Sequence, residues 1–88
     1  MSFDPTSRLD GKVAVIAGGL GAIGYATAAR LAALGVSCVL LHRDDHDAAE
    51  RTAALPAAQG QRHAALRADI VDTPSLQKAY TEVRETYG

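Results

Sequence analysis

Short apolar runs alternate with segments rich in alanine and leucine along this chain, and the alternation predicts three strands and three helices. Residues 12–16 form a β-branched apolar run, which is typical of a buried strand. Residues 36–41 are apolar at nearly every position, as expected for a strand that is covered on both faces of a parallel sheet. A weaker third strand is predicted over residues 62–68, where alanines replace β-branched residues, and His63 is expected to be a surface residue of it.

Helices are predicted over residues 25–34, from about 45 to 55, and from Thr73 onwards. Pro56 disfavours helix at the residue before it, so the second helix should end near Leu55. Thr73 is predicted as an N-cap, with Pro74 as the first helical residue. The third helix should bury one apolar face, where a core or half-buried Tyr80 is expected beside three further residues: Leu76, Ala79 and Val83.

The predicted order βαβαβα defines the fold class. Crossovers between parallel strands are right-handed, so these elements would form the first mononucleotide-binding half of a doubly wound α/β sheet. We therefore expect an N-terminal arm over residues 1–11 and a partial Rossmann domain over residues 12–88.

A glycine-rich segment at residues 17–24, Ala-Gly-Gly-Leu-Gly-Ala-Ile-Gly, joins the first strand to the first helix. Glycine permits a tight reversal, and its missing Cβ allows a diphosphate to approach the backbone. Gly24 is expected to let the helix pack close to the strand. Free N–H groups at the helix start would face the anion, so the segment predicts dinucleotide binding. A plain turn is the alternative, and a Walker-type loop is disfavoured because no Gly-Lys-Ser/Thr follows.

Composition narrows the possible functions. An 88-residue chain is at most one small domain, and a formal charge of −1 gives no basic surface for nucleic acid and no attraction to a membrane. There is no apolar stretch of the roughly 20 residues that a membrane span needs. The first residues lack the pattern of a signal peptide, so a cytoplasmic protein is expected.

The single cysteine and the histidines predict no special chemistry. Cys38 lies in an apolar run, and we interpret it as a small buried hydrophobic residue rather than a reactive thiol. His42 and His46 are four residues apart, but the first ends a strand and the second begins a helix. No metal site is therefore predicted.

The end of the second strand indicates which cofactor is preferred. Adenosine ribose is recognised there: a carboxylate binds the 2′-hydroxyl of NAD, whereas a cation accommodates the 2′-phosphate of NADP. His42 occupies this position, Arg43 follows it, and no acid comes before Asp44. NADP is thus preferred and NAD stays possible, because an arginine can also stack on adenine or remain a solvated charge.

Three motifs together resemble the short-chain dehydrogenase/reductase family. They are the opening over residues 9–16, the glycine loop over 17–24, and the acidic turn Asp-Ile-Val-Asp at 69–72. Ala17 replaces the usual threonine and Ala22 replaces the second glycine of the classical pattern. The loop also fits the spacing of the extended branch through Gly18, Gly21 and Gly24, but the classical branch is favoured.

The resemblance implies an oxidoreductase that transfers hydride between NADP(H) and a carbonyl or alcohol carbon. It implies that Asp69 contacts the adenine, although a turn or capping carboxylate is the alternative. The family's Asn-Asn-Ala-Gly strand, catalytic Ser and Tyr-x-x-x-Lys pair have no match here, so no catalytic residue is predicted; Tyr80 is followed at the fourth position by Arg84. The predicted cofactor-binding residues are Gly18, Gly19, Leu20, Gly21, Ile23, Gly24, His42, Arg43, Asp69 and Ile70.

Two hypotheses of different class remain. In the first, the chain is the N-terminal cofactor-binding half of a reductase and is inactive without the remainder. In the second, it is a non-catalytic nucleotide-binding module that needs a partner or self-association to cover the free edge of its first strand. The first is favoured, and a flavin-binding domain is disfavoured because His42 stands where those domains usually carry an acid.

Overall fold

The computed structural model describes residues 9–43, 46–58 and 60–88, in which strands and helices alternate as predicted. The elements are β1 (Val13–Ala17), α1 (Ala22–Ala33), β2 (Ser37–His42), α2 (Ala48–Ala53), β3 (Ala64–Arg67) and α3 (Thr73–Tyr87). Residues 1–8 of the predicted arm lie outside the described residues. No helix in the described part of the chain is both long and apolar enough to cross a membrane.

The three strands form one parallel sheet in the order β1-β2-β3. Val39 at the centre of β2 lies opposite Val15 on one side and Ala64 on the other. This arrangement confirms the predicted Rossmann-like half. Within the described residues β1 pairs with β2 alone, so its other edge is unpaired.

The core is organised around β2, whose side chains are buried on both faces of the sheet. Cys38 and Leu40 point to the face covered by α1 and α2. Val39 and Leu41 point to the opposite face, where they meet Ala79 of α3. The prediction that Cys38 is a buried apolar residue is confirmed, and burial raises the pKa of its thiol. Two helix layers therefore enclose a strand that has almost no exposed side chain.

Most predicted boundaries are displaced by one to three residues. The shift is three residues at α1, which begins at Ala22 rather than at residue 25, because the glycine loop itself supplies the first helical turn. The described α2 is shorter than predicted, and residue 45, its predicted start, lies outside the described residues. At α3 the prediction of Thr73 as N-cap was wrong: Asp72 holds that position and Thr73 is already helical.

Tyr80, predicted as a core or half-buried residue on the apolar face of α3, is not in the core and not on that face. Its side chain is 52% exposed, while the packed face of α3 consists of Leu76, Ala79, Val83 and Tyr87. Tyr80 follows Ala79 directly, and one residue turns the side chain by about 100° around a helix. It therefore lies beside the buried stripe and not on it.

The prediction of His63 as a surface strand residue was also wrong. His63 is half-buried and precedes β3. Its Nδ1 accepts a hydrogen bond from the Cys38 N–H at 3.0 Å, and its Nε2 lies 2.8 Å from the Pro56 carbonyl oxygen. The ring thus joins the start of β2 to the segment after α2. Apolar patterning could not reveal this role, because both contacts go to backbone groups outside β3, one of them 25 residues away at Cys38.

Candidate nucleotide-binding site

The glycine loop reverses the chain at Gly18 and is fixed to the end of β2. Gly18 has φ of +65°, a conformation that glycine adopts without steric cost. The Gly19 N–H donates to the Leu41 carbonyl at 3.2 Å, and the Gly21 N–H donates to the Gly18 carbonyl at 3.0 Å. The loop therefore has a defined shape before any ligand is considered.

Two close approaches explain why glycine is needed elsewhere in the loop. A Cβ on Gly19 would lie 2.8 Å from both Cβ and Cδ2 of Leu40 on β2. A Cβ on Gly24 would collide with the Gly18 carbonyl oxygen. The prediction for Gly24 was therefore wrong in its detail: Gly19 allows close packing on a strand, whereas Gly24 allows α1 to begin against the loop backbone.

The start of α1 presents backbone donors beside this loop. Gly21 is the N-cap, and the amides of Ala22, Ile23 and Gly24 are the first three of the helix. An α-helix has no intrahelical acceptor for these groups, and its dipole favours an anion there. Ile23 projects outwards and is 85% exposed. Leu20 is buried in the core instead, so only its backbone can take part in binding.

The second strand brings His42 and Arg43 to the same edge of the sheet. His42 is the last residue of β2 and is half-buried. The side chain of Arg43, the next residue, is 77% exposed. The Arg43 carbonyl accepts a hydrogen bond from Nε of Arg67 at 3.1 Å, which ties this position to the end of β3. Arg43 thus combines a fixed backbone with a cationic side chain that reaches solvent.

Asp69 shapes the turn after β3 and faces Arg43. Its Oδ1 accepts a hydrogen bond from the Val71 N–H at 3.1 Å, and its Oδ2 lies 3.8 Å from Nη2 of Arg43. The backbone N–H of Asp69 donates to Oγ of Ser75 at 2.9 Å. The carboxylate therefore holds the turn with one oxygen and faces the Arg43 guanidinium with the other.

These groups surround a hollow of about 320 Å³ at the carboxyl edge of the sheet. Of the predicted residues it is lined by Gly18, His42, Arg43, Asp69 and Ile70, while the rest of the glycine loop adjoins it through Gly18. A larger hollow of about 690 Å³ lies between β3 and α3. The smaller one is the better candidate because it reaches Gly18, where the backbone lies open: no atom beyond the chain neighbours lies within 4 Å of the place that a Cβ would occupy. A diphosphate needs such close access to backbone.

One residue beside this site was missed in the sequence. Arg51 of α2 reaches the glycine loop and donates from Nη1 to the Leu20 carbonyl at 2.7 Å. The two residues are 31 positions apart, and no motif connects them. Tertiary packing brings them together: Leu20 and Ala48 of α2 belong to the same core cluster. Among the described residues, no group of three or more His, Cys, Asp or Glu side chains could hold a metal ion.

Comparison with known proteins assigns the family. The family model described as short chain dehydrogenase matches residues 12–88. Elsinochrome reductase 1 of Elsinoe fawcettii is 37% identical over 83 residues, which cover 94% of this chain and 31% of that protein.

Two solved structures show the same arrangement of elements. The NADPH-dependent 3-quinuclidinone reductase of Rhodotorula rubra superposes with a TM-score of 0.86 at 30% identity, covering 96% of this chain and 32% of that one. A short chain dehydrogenase of Burkholderia cenocepacia in complex with NADP superposes with a TM-score of 0.82 at 35% identity, covering 93% and 34%. The chain thus spans about a third of the length of these relatives. It belongs to the short-chain dehydrogenase/reductase family and corresponds to the N-terminal part of that fold.

Proposed function

We propose that the chain binds NADP(H) in the hollow beside Gly18 and is the cofactor-binding part of an oxidoreductase acting on a carbonyl or alcohol carbon. The observation that carries the proposal is the convergence of Gly18, Arg43 and Asp69 on one hollow. Residues 12–88 would then be a partial nucleotide-binding domain.

The glycine loop would bind the diphosphate. The amides at the start of α1 supply donors without a charged side chain, and the close backbone approach at Gly19 and Gly24 leaves no room for a Cβ. Gly21 and Leu20 would contribute backbone groups only. Asp69 and Ile70, which line the hollow, would contact the adenine.

Arg43 would bind the 2′-phosphate, next to His42 at the ribose. The existing ion pair with Asp69 is long, at 3.8 Å, and both side chains reach solvent. Such exposed pairs contribute about 0–1 kcal/mol, whereas a charge-assisted hydrogen bond to phosphate is worth roughly 1.5–3 kcal/mol. Exchange of partners is therefore favourable for NADP. NAD offers no such phosphate, so its binding would leave Arg43 with Asp69.

The bound nicotinamide cofactor supplies the hydride chemistry, and this part of the protein supplies binding and orientation. None of the described side chains reproduces the Ser and Tyr-x-x-x-Lys set that the family resemblance implies. Catalysis would thus need further residues, from the remainder of a longer chain or from a partner. We place that added structure, or a second copy of this chain, at the unpaired edge of β1, where Val13 is 39% exposed.

The test combines mass, binding and turnover. Intact mass under denaturing conditions establishes which chain is present, and titration with NADPH and NADH follows on the same full-length protein. We expect NADPH to bind more tightly than NADH. We expect one or more ketones to oxidise NADPH when the mass shows a longer chain or a second fragment, and no turnover by the 88 residues alone. Nucleotide binding without turnover in any assembled form would favour the non-catalytic module, and no binding of either nucleotide would contradict the proposal.

A further inference from the structure

The glycine loop contains no basic side chain, yet α2 places one against it. Nη1 of Arg51 donates to the Leu20 carbonyl at 2.7 Å, and the guanidinium carbon lies 4.6 Å from the centre of the Tyr25 ring. Arg51 is half-buried, so part of its charge is shielded from water. A cation over an aromatic face is attracted by the ring's quadrupole, more strongly when it is desolvated.

The backbone of Arg51 is held as firmly as its side chain. The Tyr25 hydroxyl donates to the Arg51 carbonyl at 2.8 Å. Tyr25 lies in the first turn of α1, where its own N–H donates to the Gly21 carbonyl at 2.8 Å. Loop, α1 and α2 are therefore joined through one arginine and one tyrosine.

These contacts fix the orientation of one peptide in the loop. Because a peptide is planar, holding the Leu20 carbonyl also sets the direction of the Gly21 N–H, which donates to the Gly18 carbonyl at 3.0 Å. Glycine-rich backbone would otherwise rotate easily, and a carbonyl turned towards a diphosphate would repel it. The positive charge beside the loop also favours a bound anion.

We propose that Arg51 is a positioning residue that holds the glycine loop in the conformation that binds the cofactor's diphosphate. The inference rests on the proposed function, since it concerns the same nucleotide. It predicts a selective effect: ligands with a diphosphate depend on Arg51, whereas ligands that lack one do not.

The chain offers a control at the opposite end of the sheet, where the strands begin, which we call the amino edge. Nη2 of Arg62 donates to the Thr86 carbonyl at 3.0 Å, its guanidinium carbon lies 5.1 Å from the Tyr87 ring centre, and the Tyr87 hydroxyl donates to the Arg62 carbonyl at 2.7 Å. The same three contacts recur there, far from the glycine loop. Arg62 is exposed whereas Arg51 is half-buried, so Arg62→Met removes the same types of contact, in a more solvated setting, without touching the candidate site.

The experiment measures dissociation constants for NADPH and for adenosine 2′-monophosphate, which has no diphosphate, by calorimetry on the full-length protein. Arg51→Met should weaken NADPH about tenfold or more, the size of one lost charge-assisted hydrogen bond, and leave the monophosphate within about twofold. Arg62→Met should change neither ligand, and Arg51→Lys should recover part of the NADPH affinity because it keeps the charge.

Equal losses for the two ligands, or no loss for NADPH, would overturn the proposal. If Arg51→Met does not fold, Arg51→Lys decides the matter: a loss confined to NADPH supports the positioning role, and any other pattern contradicts it. A wild-type protein that binds neither NADPH nor NADH would instead refute the proposed function itself.

Discussion

The two Arg–Tyr pairs, Arg51 with Tyr25 and Arg62 with Tyr87, have the same contacts at opposite edges of one sheet. In each, the arginine lies over the ring, the tyrosine hydroxyl donates to the arginine's carbonyl, and the guanidinium donates to a third residue. They differ in that third residue: Leu20 of the glycine loop in one pair, Thr86 near the end of α3 in the other. Location rather than contact type therefore separates a candidate functional role from a structural one.

The two pairs also differ in what the groups around them bind. At the amino edge, side chains satisfy backbone groups within the fold: Nε2 of Gln61 donates to the Ala32 and Val36 carbonyls at 2.8 and 2.9 Å, and His63 accepts from Cys38. At the carboxyl edge, helix-start amides and the exposed Arg43 point outwards. The amino edge also has a hollow, of about 360 Å³, but Gln61 and Arg62 beside it are bonded to backbone carbonyls of the fold. The carboxyl edge combines its hollow with a glycine loop and a cation that reaches solvent.

The largest expected effect is at the glycine loop. Gly24→Ala would drive a Cβ into the Gly18 carbonyl, and overpacking of this kind costs roughly 1–3 kcal/mol. We expect NADPH affinity to fall about ten- to hundredfold by calorimetry.

The control for this variant is Gly60→Ala at the amino edge. Gly60 has φ of +91°, and no atom lies within 4 Å of the place that a Cβ would occupy, so the substitution strains the backbone without closing any space. It should lower the melting temperature yet leave NADPH affinity unchanged. Equal losses of affinity in the two variants would remove the distinction between the edges.

Arg43→Asp should reverse the choice of nucleotide. A carboxylate at this position repels a 2′-phosphate and can accept a bond from a 2′-hydroxyl. We expect the ratio of NADPH to NADH affinity to fall at least about tenfold, the size of one charge-assisted bond. Arg84→Asp, an equal charge change at an exposed position in the last turn of α3, should leave the ratio as it is. An unchanged ratio in Arg43→Asp would remove that residue from the 2′-phosphate role.

The two tyrosines provide a smaller and more symmetric test. Tyr25→Phe and Tyr87→Phe each remove one hydroxyl bond to an arginine carbonyl and should each lower the free energy of unfolding by about 1 kcal/mol in urea. NADPH affinity should drop a few-fold for Tyr25→Phe alone. A similar drop for Tyr87→Phe would show that general loosening, rather than loop position, weakens binding.

The smallest expected effect is on the free energy of unfolding at alkaline pH, through Cys38 and Tyr87. Burial raises the pKa of Cys38 above the ordinary 9.0. Burial likewise raises the pKa of Tyr87 above 10.0, with the Arg62 charge opposing it and Cys38 adding to it. The unfolded groups ionise first, at the ordinary pKa values. Their contribution to the free energy of unfolding is therefore complete below those values and is lost as the pH rises towards the raised pKa values of the folded protein. Cys38→Ala should flatten the decline in unfolding free energy near pH 9 in urea titrations, and an unaltered decline would contradict the assignment.

Sequence patterns predicted the fold well because the strands and the glycine loop are local signals. An apolar run such as residues 36–41 identifies a doubly covered strand by itself, and a strand, glycines and a helix in succession identify the loop. The sequence named Arg43 and Asp69 separately as cofactor-binding residues, and the structure brings them to one edge because carboxyl ends of parallel strands lie together.

The roles of His63 and Arg51 were missed because they depend on contacts with other elements of the fold. His63 bonds to backbone groups of Cys38 and Pro56, and Arg51 bonds to Leu20, so neither role leaves a periodic trace in the sequence. Tyr80 was placed on the apolar face of its helix because spacing alone does not separate the centre of a helical stripe from its margin. Side-chain bonds to the backbone of other elements depend on tertiary packing, and patterning does not encode them.

The most direct measurement compares adenosine 2′,5′-bisphosphate with adenosine 5′-monophosphate, two ligands that differ only in the 2′-phosphate. Both would be titrated into the full-length protein by calorimetry at one ionic strength. The account predicts that the bisphosphate binds at least about tenfold more tightly, as one charge-assisted contact from Arg43 requires. Equal affinities would contradict the assignment of this edge of the sheet to NADP.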